Sequence, residues 1–491
     1  MPTQRNPWLA LAALVVGFFM ILLDVTIVAV ANPAIMTDLG ADISQVIWVT
    51  SAYLLTYAVP LLITGRLGDR FGPKNIYLFG LTVFTLASLW CGLSGDIETL
   101  IAARAVQGLG AALMTPQTMA VITRTFPPEG RGPAMGLWGA VAGLATLVGP
   151  ILGGVLVDGL GWEWIFIVNV PVGVIAFALA VWLVPALPTH GHTFDLVGVV
   201  LSAAGMFLLV FGIQEGNASD WSATIWAAIV AGIVVLGIFV VTQARSTREP
   251  LLPLGLFRDR NFLLANLGIA GMGAAMTAVM VPIYFYLQAV HGMTPTRSAM
   301  VLAPMAIVSG VAAPVVGKLT GRWHPRLIPT AGFLLFSLSV AWIATLMRDP
   351  EATIGWIVLA GAVAGLSNAG IWAPLATTAT HNLPIHQAGA GAGVYNTTRQ
   401  VGSVLGSATI SALIAARMSA AGLGEAPAGE GMGTGQVPEQ IRTGFSHALS
   451  EANYLPAAFL LIGVVASALF IRNKPADAAA EGRQTADSAT A

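Results

Sequence analysis

Charge is what this chain has least of. Lysine, arginine, aspartate and glutamate make up 9% of its 491 residues, against about 25% in an ordinary soluble domain. Hydrophobic residues make up 56% and mean hydropathy is +0.79, so the chain belongs in lipid rather than in water. Cysteine is nearly absent as well. Cys91 alone excludes an internal disulfide and any cysteine-cluster metal site, and it reads as a packing residue. A phosphate-binding glycine loop closed by Lys and then Ser or Thr is missing, since Gly317-Lys318 runs into Leu319. ATP hydrolysis is left without support. His190, His192, His324, His381 and His386 lack metal-ligand spacing, and no nucleophile, base and orienting group can be assembled from the motifs that follow. No enzyme, metal or organic cofactor is expected.

What the chain does have is length without charge. Apolar runs of the roughly 20 residues that cross a bilayer recur at about 8–30, 46–65, 76–94, 98–120, 133–157, 163–185, 195–215, 222–243, 262–290, 296–317, 328–347, 352–380, 388–416 and 453–472. Fourteen spans are predicted. Barrel strands would be short and alternating, whereas these runs are long and unalternating, so the fold class is an all-α membrane protein. The first run offers Ala29-Val30-Ala31 as a cleavage pattern, but its length and Asp24 predict a retained helix.

Cytoplasmic loops retain Lys and Arg, which sets the topology. On the fourteen-span map most basic residues fall on one side, including Arg66, Arg70, Lys74, Arg124, Arg131, Lys318, Arg322 and Arg326. Both termini are therefore expected to be cytoplasmic. Arg104 and Arg399 instead fall inside spans. An ungapped internal repeat supports this map: Gly65-Arg-Leu-Gly-Asp-Arg-Phe-Gly-Pro-Lys74 aligns with Gly317-Lys-Leu-Thr-Gly-Arg-Trp-His-Pro-Arg326. The copies follow the second and tenth spans, which predicts two six-helix halves, 8–185 and 262–472, with two inserted helices at 195–243. The outer loop 418–452 reads as helical near 438–450 and able to fold over the outer mouth. The tail 475–491 reads as disordered.

Asp24 stands near the middle of the first run. A carboxylate at the centre of a membrane helix costs about 2.5 to 3.5 kcal/mol or more, so its default reading is functional, here a proton-binding site. Arg104, Gln107 and Gly108 share one face of the fourth helix, which is expected to line the substrate cavity with Gln107 among its residues. Burial favours the neutral form of an acid and a nearby cation favours the charged form, so such a pair is suited to proton exchange. A purely structural pair is the alternative. The thirteenth helix carries Asn396, Arg399, Gln400 and Ser403 as a polar stripe at helical period. It faces either the substrate or other helices. Tyr53 with Tyr57 and Tyr284 with Gln288 are i, i+4 pairs that line a cavity or anchor at the interface.

Four motifs together carry a family resemblance. Gly65 to Lys74 resembles the signature loop of the major facilitator superfamily. Leu100-Ile-Ala-Ala-Arg-Ala-Val-Gln-Gly-Leu-Gly-Ala112 is similar to its fourth-helix motif, and Gly143-Leu-Ala-Thr-Leu-Val-Gly-Pro-Ile-Leu-Gly-Gly154 to its antiporter motif. Leu23-Asp-Val-Thr-Ile-Val-Ala-Val-Ala-Asn-Pro-Ala-Ile35 resembles the first-helix motif of the fourteen-span drug:proton antiporters. One departure is that Ala29 stands where that branch usually has Asn, while Asn32 stands where it usually has Leu, so the amide's family role does not transfer. Asn32 is kept as a cavity candidate.

The resemblance implies roles for these motifs. Gly65, Gly68, Asp69, Arg70 and Gly72 would form a conformational latch, with Asp69 accepting from free amides at the start of the third helix. Gly143, Gly149, Pro150, Gly153 and Gly154 would give the fifth helix a smooth surface for tight packing or bending. The expected function is proton-coupled export of hydrophobic or amphiphilic compounds by alternating access, with the proton as coupling ion. A lipid or siderophore exporter and a proton-symporting importer are the alternatives. Expected partners are small amphiphiles and membrane lipid, with no nucleic acid. The chain is expected to work as a monomer in a bacterial inner membrane.

Overall fold

The computed structural model describes residues 6–41, 43–189, 195–216, 219, 221–245, 250–320, 323–383, 387–422 and 438–472. His190, His192, Arg322, His386 and the predicted disordered tail lie outside them. The regular structure among them is all helical: α1 (Pro7–Asp38), α2 (Ile43–Ala58), α3 (Leu61–Phe71), α4 (Pro73–Gly92), α5 (Ile97–Thr125), α6 (Pro128–Leu160), α7 (Trp164–Ile167), α8 (Asn169–Leu183), α9 (Leu196–Glu215), α10 (Ala223–Arg245), α11 (Arg260–Phe285), α12 (Pro295–Thr320), α13 (Leu327–Leu346), α14 (Ile354–His381), α15 (Ala388–Ala420), α16 (Glu439–Ala452) and α17 (Tyr454–Ala468). A 3₁₀ turn covers Leu254–Arg258 and a π-helical turn covers Tyr286–Val290.

Local chemistry sets several of the helix ends. Asn6, Asp96, Asp195 and Asp259 each accept from a backbone amide in the first turn of the helix they precede. Pro7 and Pro73 open their helices, where a missing N–H costs nothing. Among the described residues twelve helices are long and apolar enough to cross a membrane. A thirteenth is gained if the pair Trp48–Ala58 and Leu61–Phe71, bent by 47°, forms one span.

Two predicted features change in the structure. The second run is broken at 59–60, where Pro60 cannot donate to the α2 ladder, and it resumes as α3. The signature stretch is therefore not a loop: Gly65 to Arg70 are helical, and only Gly72, at φ +90°, turns the chain into α4.

Helices α1 to α8 pack among themselves, as do α11 to α17. The two groups meet along two lines, α6 against α12 and α14, and α3, α5 and α2 against α15. The hairpin of α9 and α10 lies against the second line through α2 and α15. Leu55 and Ala58 meet Met206, Val210 and Val404 in one apolar cluster there. At one end of the bundle, hereafter the basic end, arginine and lysine side chains cap chain ends. Lys74 Nζ donates to the carbonyls of Val181 and Val184 at 2.7 and 2.8 Å, and Arg66 donates to those of Pro250 and Leu251.

The last helices fill the opposite end. Helix α16 begins within the stretch read as helical from sequence, and it is fixed in place rather than lying free. Arg442 donates to the Val290 carbonyl at 3.1 Å and to Glu351 at 2.8 Å, and Ser450 donates to the Ala344 carbonyl at 2.6 Å.

Candidate functional site

Asp24 lies about 26 Å along α1, well inside the bilayer span. It is completely buried, as is Arg104 on α5. The Asp96 cap starts α5 so that Arg104 arrives two turns later beside α1. Arg104 Nη1 donates to Asp24 Oδ2 at 2.5 Å. Gln107 Nε2 donates to Asp24 Oδ1 at 2.8 Å, and Asn169 Nδ2 from α8 donates to the same oxygen at 3.2 Å. The second layer holds this arrangement. Arg104 Nε donates to the Val49 carbonyl at 3.0 Å, Gln107 Nε2 reaches Ser88 Oγ at 2.8 Å, and the guanidinium lies over the Tyr53 ring at 4.3 Å.

These contacts identify a buried acid whose charge is compensated and whose oxygens are both engaged. A carboxylate so held changes its contacts only if its partners rearrange. The sequence pairs Asp24 with Arg104 and assigns Gln107 to the substrate cavity, whereas the structure holds Gln107 on Asp24 together with Asn169, and Ser88 behind it. The only mark of Asn169 and Ser88 in the sequence is that each is polar within an apolar run.

A second polar group bridges the two helix groups. Arg399 Nη2 on α15 donates to the Tyr57 hydroxyl at 3.2 Å, and that hydroxyl donates to Thr115 Oγ1 at 3.2 Å. Asn396 is buried beside it and donates to the Ala392 carbonyl at 2.9 Å, while Gln400 is buried on the next turn. Tyr53 and Tyr57 stack with their centroids 6.0 Å apart, so α2 touches both polar groups. Asn32 is half-buried, and its Oδ1 has no partner.

Tyr284 and Gln288 do not join this group. Pro282 lies inside α11, and the helix passes into the π turn at Tyr286, between the two residues. Both are half-buried near the end of the bundle where α16 packs.

At the basic end Asp69 reaches across the seam. It accepts from the amides of Gly389 and Ala390, each at 2.9 Å, and pairs with Arg124. Its acceptor role is thus directed at the first turn of α15 and not at the following helix α4. The cause is that residues 65 to 71 continue as helix, which turns the carboxylate outward to α15. The glycines make this approach possible. A Cβ on Gly65 would strike the Gly389 carbonyl oxygen and one on Gly68 the side chain of Gln117. Arg70 packs over the Phe71 ring. The other line closes similarly: a Cβ on Gly132 would meet the Gly317 carbonyl oxygen at 2.5 Å, one on Gly317 would meet that of Gly132 at 2.7 Å, and Arg131 donates to the Thr380 carbonyl at 2.6 Å.

The antiporter-like stretch lies on α6, one unbroken helix in spite of Pro150. Gly149 receives Thr26 of α1, two residues from Asp24, and Thr26 Oγ1 lies 3.4 Å from the Ala145 carbonyl. Gly153 is buried, whereas a Cβ on Gly154 would meet nothing within 4 Å. The stripe is therefore in use at Gly149 and open at Gly154; the surroundings of Gly143 and of the Pro150 side chain lie outside the described residues.

A bundle of apolar helices in two groups, with a buried ion pair inside one group and a glycine-lined seam between them, has the build of a multi-pass membrane transporter. Residues 14–407 match the sequence profile of the Major Facilitator Superfamily, and the chain belongs to that family. It is 52% identical over 95% of its length to 81% of an uncharacterized MFS-type transporter, Rv1250, of Mycobacterium tuberculosis. It is 36% identical over 84% of its length to 77% of the tetracenomycin C resistance and export protein of Streptomyces glaucescens. The crystal structure of the human organic anion transporter MFSD10 superposes with a TM-score of 0.62 over 95% of this chain and 100% of that one, at 12% identity, a likeness of fold alone.

Proposed function

We propose that this protein is a proton-coupled antiporter that exports hydrophobic or amphiphilic compounds by alternating access between two six-helix halves. In this reading α6 and the bent pair α2 and α3 are each spans, which gives fourteen, with α9 and α10 inserted between the halves. The basic end is cytoplasmic by the positive-inside rule, and both termini lie on that side. The molecule is then closed toward the cytoplasm, held by Asp69 on α15 and by the glycine contacts of α6 with α12.

The observation that carries the reading is Asp24, a carboxylate with no exposure at mid-membrane, engaged by Arg104, Gln107 and Asn169. Taking a proton would neutralise it and release Arg104 from its ion pair, giving two arrangements of one site. Thr26 in the groove at Gly149 ties that stretch of α1 to α6, so a change at Asp24 has a mechanical route to the seam. One proton moving down about 100 mV supplies roughly 2.3 kcal/mol, an accumulation ratio near 50-fold, without nucleotide. Similarity to an export protein for tetracenomycin C favours the outward direction.

The test is transport in sealed vesicles with an imposed pH gradient, across a panel of fluorescent amphiphiles. The unmodified chain is expected to drive them against their gradient and Asp24→Asn is expected not to. Uphill movement that survives the substitution unchanged removes Asp24 from the mechanism, and movement of the compounds in the same direction as the proton reverses the antiport assignment.

A further inference from the structure

The seam carries a cation without an acid. Arg399 stands about 17 Å along α15, near mid-span. Its Nη2 donates to the Tyr57 hydroxyl, but its buried Nε has no partner. Tyr395, one turn earlier on the same face, is fully buried with an unpartnered hydroxyl. Two donors therefore sit together with nothing to donate to.

Among the described residues the helices that pack most on α15 are α2, α3, α5, α9, α11, α14, α16 and α17, and none of these supplies a free carboxylate beside Arg399. Asp69 is held by Arg124 and by the first amides of α15. Glu98 is in the first turn of α5 and receives Gln45, Glu215 ends α9, Glu439 starts α16, and Glu451 pairs with Arg417. Helices α2, α11, α14 and α17 contain no acidic residue. Asp24 is committed to Arg104. A guanidinium cannot discard its charge, and an uncompensated cation at mid-membrane is expensive, so its retention asks for an anion that comes and goes.

We propose that Arg399, with Tyr395, is the point of the substrate cavity that recognises an anion, and that the preferred cargo is an aromatic amphiphile bearing one acidic group: a carboxylate, sulfonate or phenolate. This deepens the export reading and rests on it for the seam being the cargo path. The planar guanidinium and, one turn away, the phenol would offer donors to the two oxygens of one acid. Exporting a monoanion against one proton moves two charges in the direction that an inside-negative potential drives, so the cargo's charge assists its own expulsion.

The test uses 1-anilinonaphthalene-8-sulfonate and N-phenyl-1-naphthylamine, which share a ring system and differ by the sulfonate. Each is measured by equilibrium dialysis against the full chain in neutral-lipid nanodiscs, with empty discs subtracted. The unmodified chain is expected to bind the sulfonate about tenfold or more tighter than the neutral probe, the size of one charged hydrogen bond. Arg399→Gln is expected to remove that preference while changing the neutral probe by less than about twofold, and Arg399→Lys to restore part of it. Equal binding of both probes by the unmodified chain overturns the proposal and needs no variant to be folded. Equal weakening of both probes in Arg399→Gln also overturns it. No gradient is present, so this outcome is independent of whether Asp24 couples proton movement to export.

Discussion

Removing either partner of the Asp24–Arg104 pair should destabilise the protein in a way that depends on which partner is lost. Both side chains are fully buried and their contact is 2.5 Å. Breaking a buried pair by removing one member costs about 3 to 5 kcal/mol, since the survivor is left uncompensated. In Asp24→Asn the survivor is a guanidinium that keeps its charge at any working pH. In Arg104→Gln it is a carboxyl group still supported by Gln107 and Asn169. The deficit should therefore be larger for Asp24→Asn than for Arg104→Gln. Unfolding by dodecyl sulfate in mixed micelles would measure both. The expected result is a deficit of about 3 kcal/mol or more for Asp24→Asn and a smaller one for Arg104→Gln. The double substitution should cost at least about 2 kcal/mol less than the sum of the single ones. Additive single costs would refute the pairing as the dominant interaction.

Three further outcomes follow from the same contacts. Asp69→Asn exchanges two charged amide bonds for at most one neutral one, a loss of about 1 to 3 kcal/mol from the closed arrangement. Spin-label distances between Phe71→Cys and Asn382→Cys in a Cys91→Ala background should then show an open population raised about 10- to 100-fold, and an unchanged distribution contradicts the latch. Tyr53→Phe should be near neutral because the Tyr53 hydroxyl has no partner, whereas Tyr53→Leu loses a cation–π contact worth about 2 kcal/mol in unfolding; equal effects would remove the ring from the account. Burial first, and the Arg442 guanidinium second, hold His291 below the ordinary histidine range. Its protonation should thus loosen the adjoining α16 as pH drops from about 6.5, seen as faster motion of a spin label at Gln440→Cys. The effect should vanish in His291→Phe, and if it persists there another group is responsible.

Hydropathy makes much of this fold legible because lipid imposes one demand, an uninterrupted helical ladder under apolar side chains. That demand fixes α4, α9 and α13 closely from composition. It does not mark the bend after Ala58, for which Pro60 is the sole sign, or the helical continuation through Gly65 to Phe71. A basic, glycine-rich stretch reads as a turn when nothing shows what lies above it. Here α15 and Gln117 lie above it, and the missing side chains of Gly65 and Gly68 are the space they occupy.

Polar residues in apolar runs are legible as positions but not as partners. Asp24, Arg104 and Arg399 all stand out in the sequence, and the first two read there as a pair, yet nothing in it says that Gln107 and Asn169 complete that pair or that Arg399 meets Tyr57. Three-dimensional placement separates them into a closed group within one half and an open group on the seam. Helix α2 touches both, with Tyr53 beneath Arg104 and Tyr57 beneath Arg399 one turn further along. A helix that packs on Arg104 with one ring and meets Arg399 with the next is placed to move both together, so on the proposed reading occupancy of one site would bear on the other through a rigid element. The break at Pro60 lies just beyond Tyr57 and just before the Asp69 latch on α3. Motion of α2 can therefore be taken up at that hinge or passed to the latch, and the packing of α3 beneath the first turns of α15 favours passing it on.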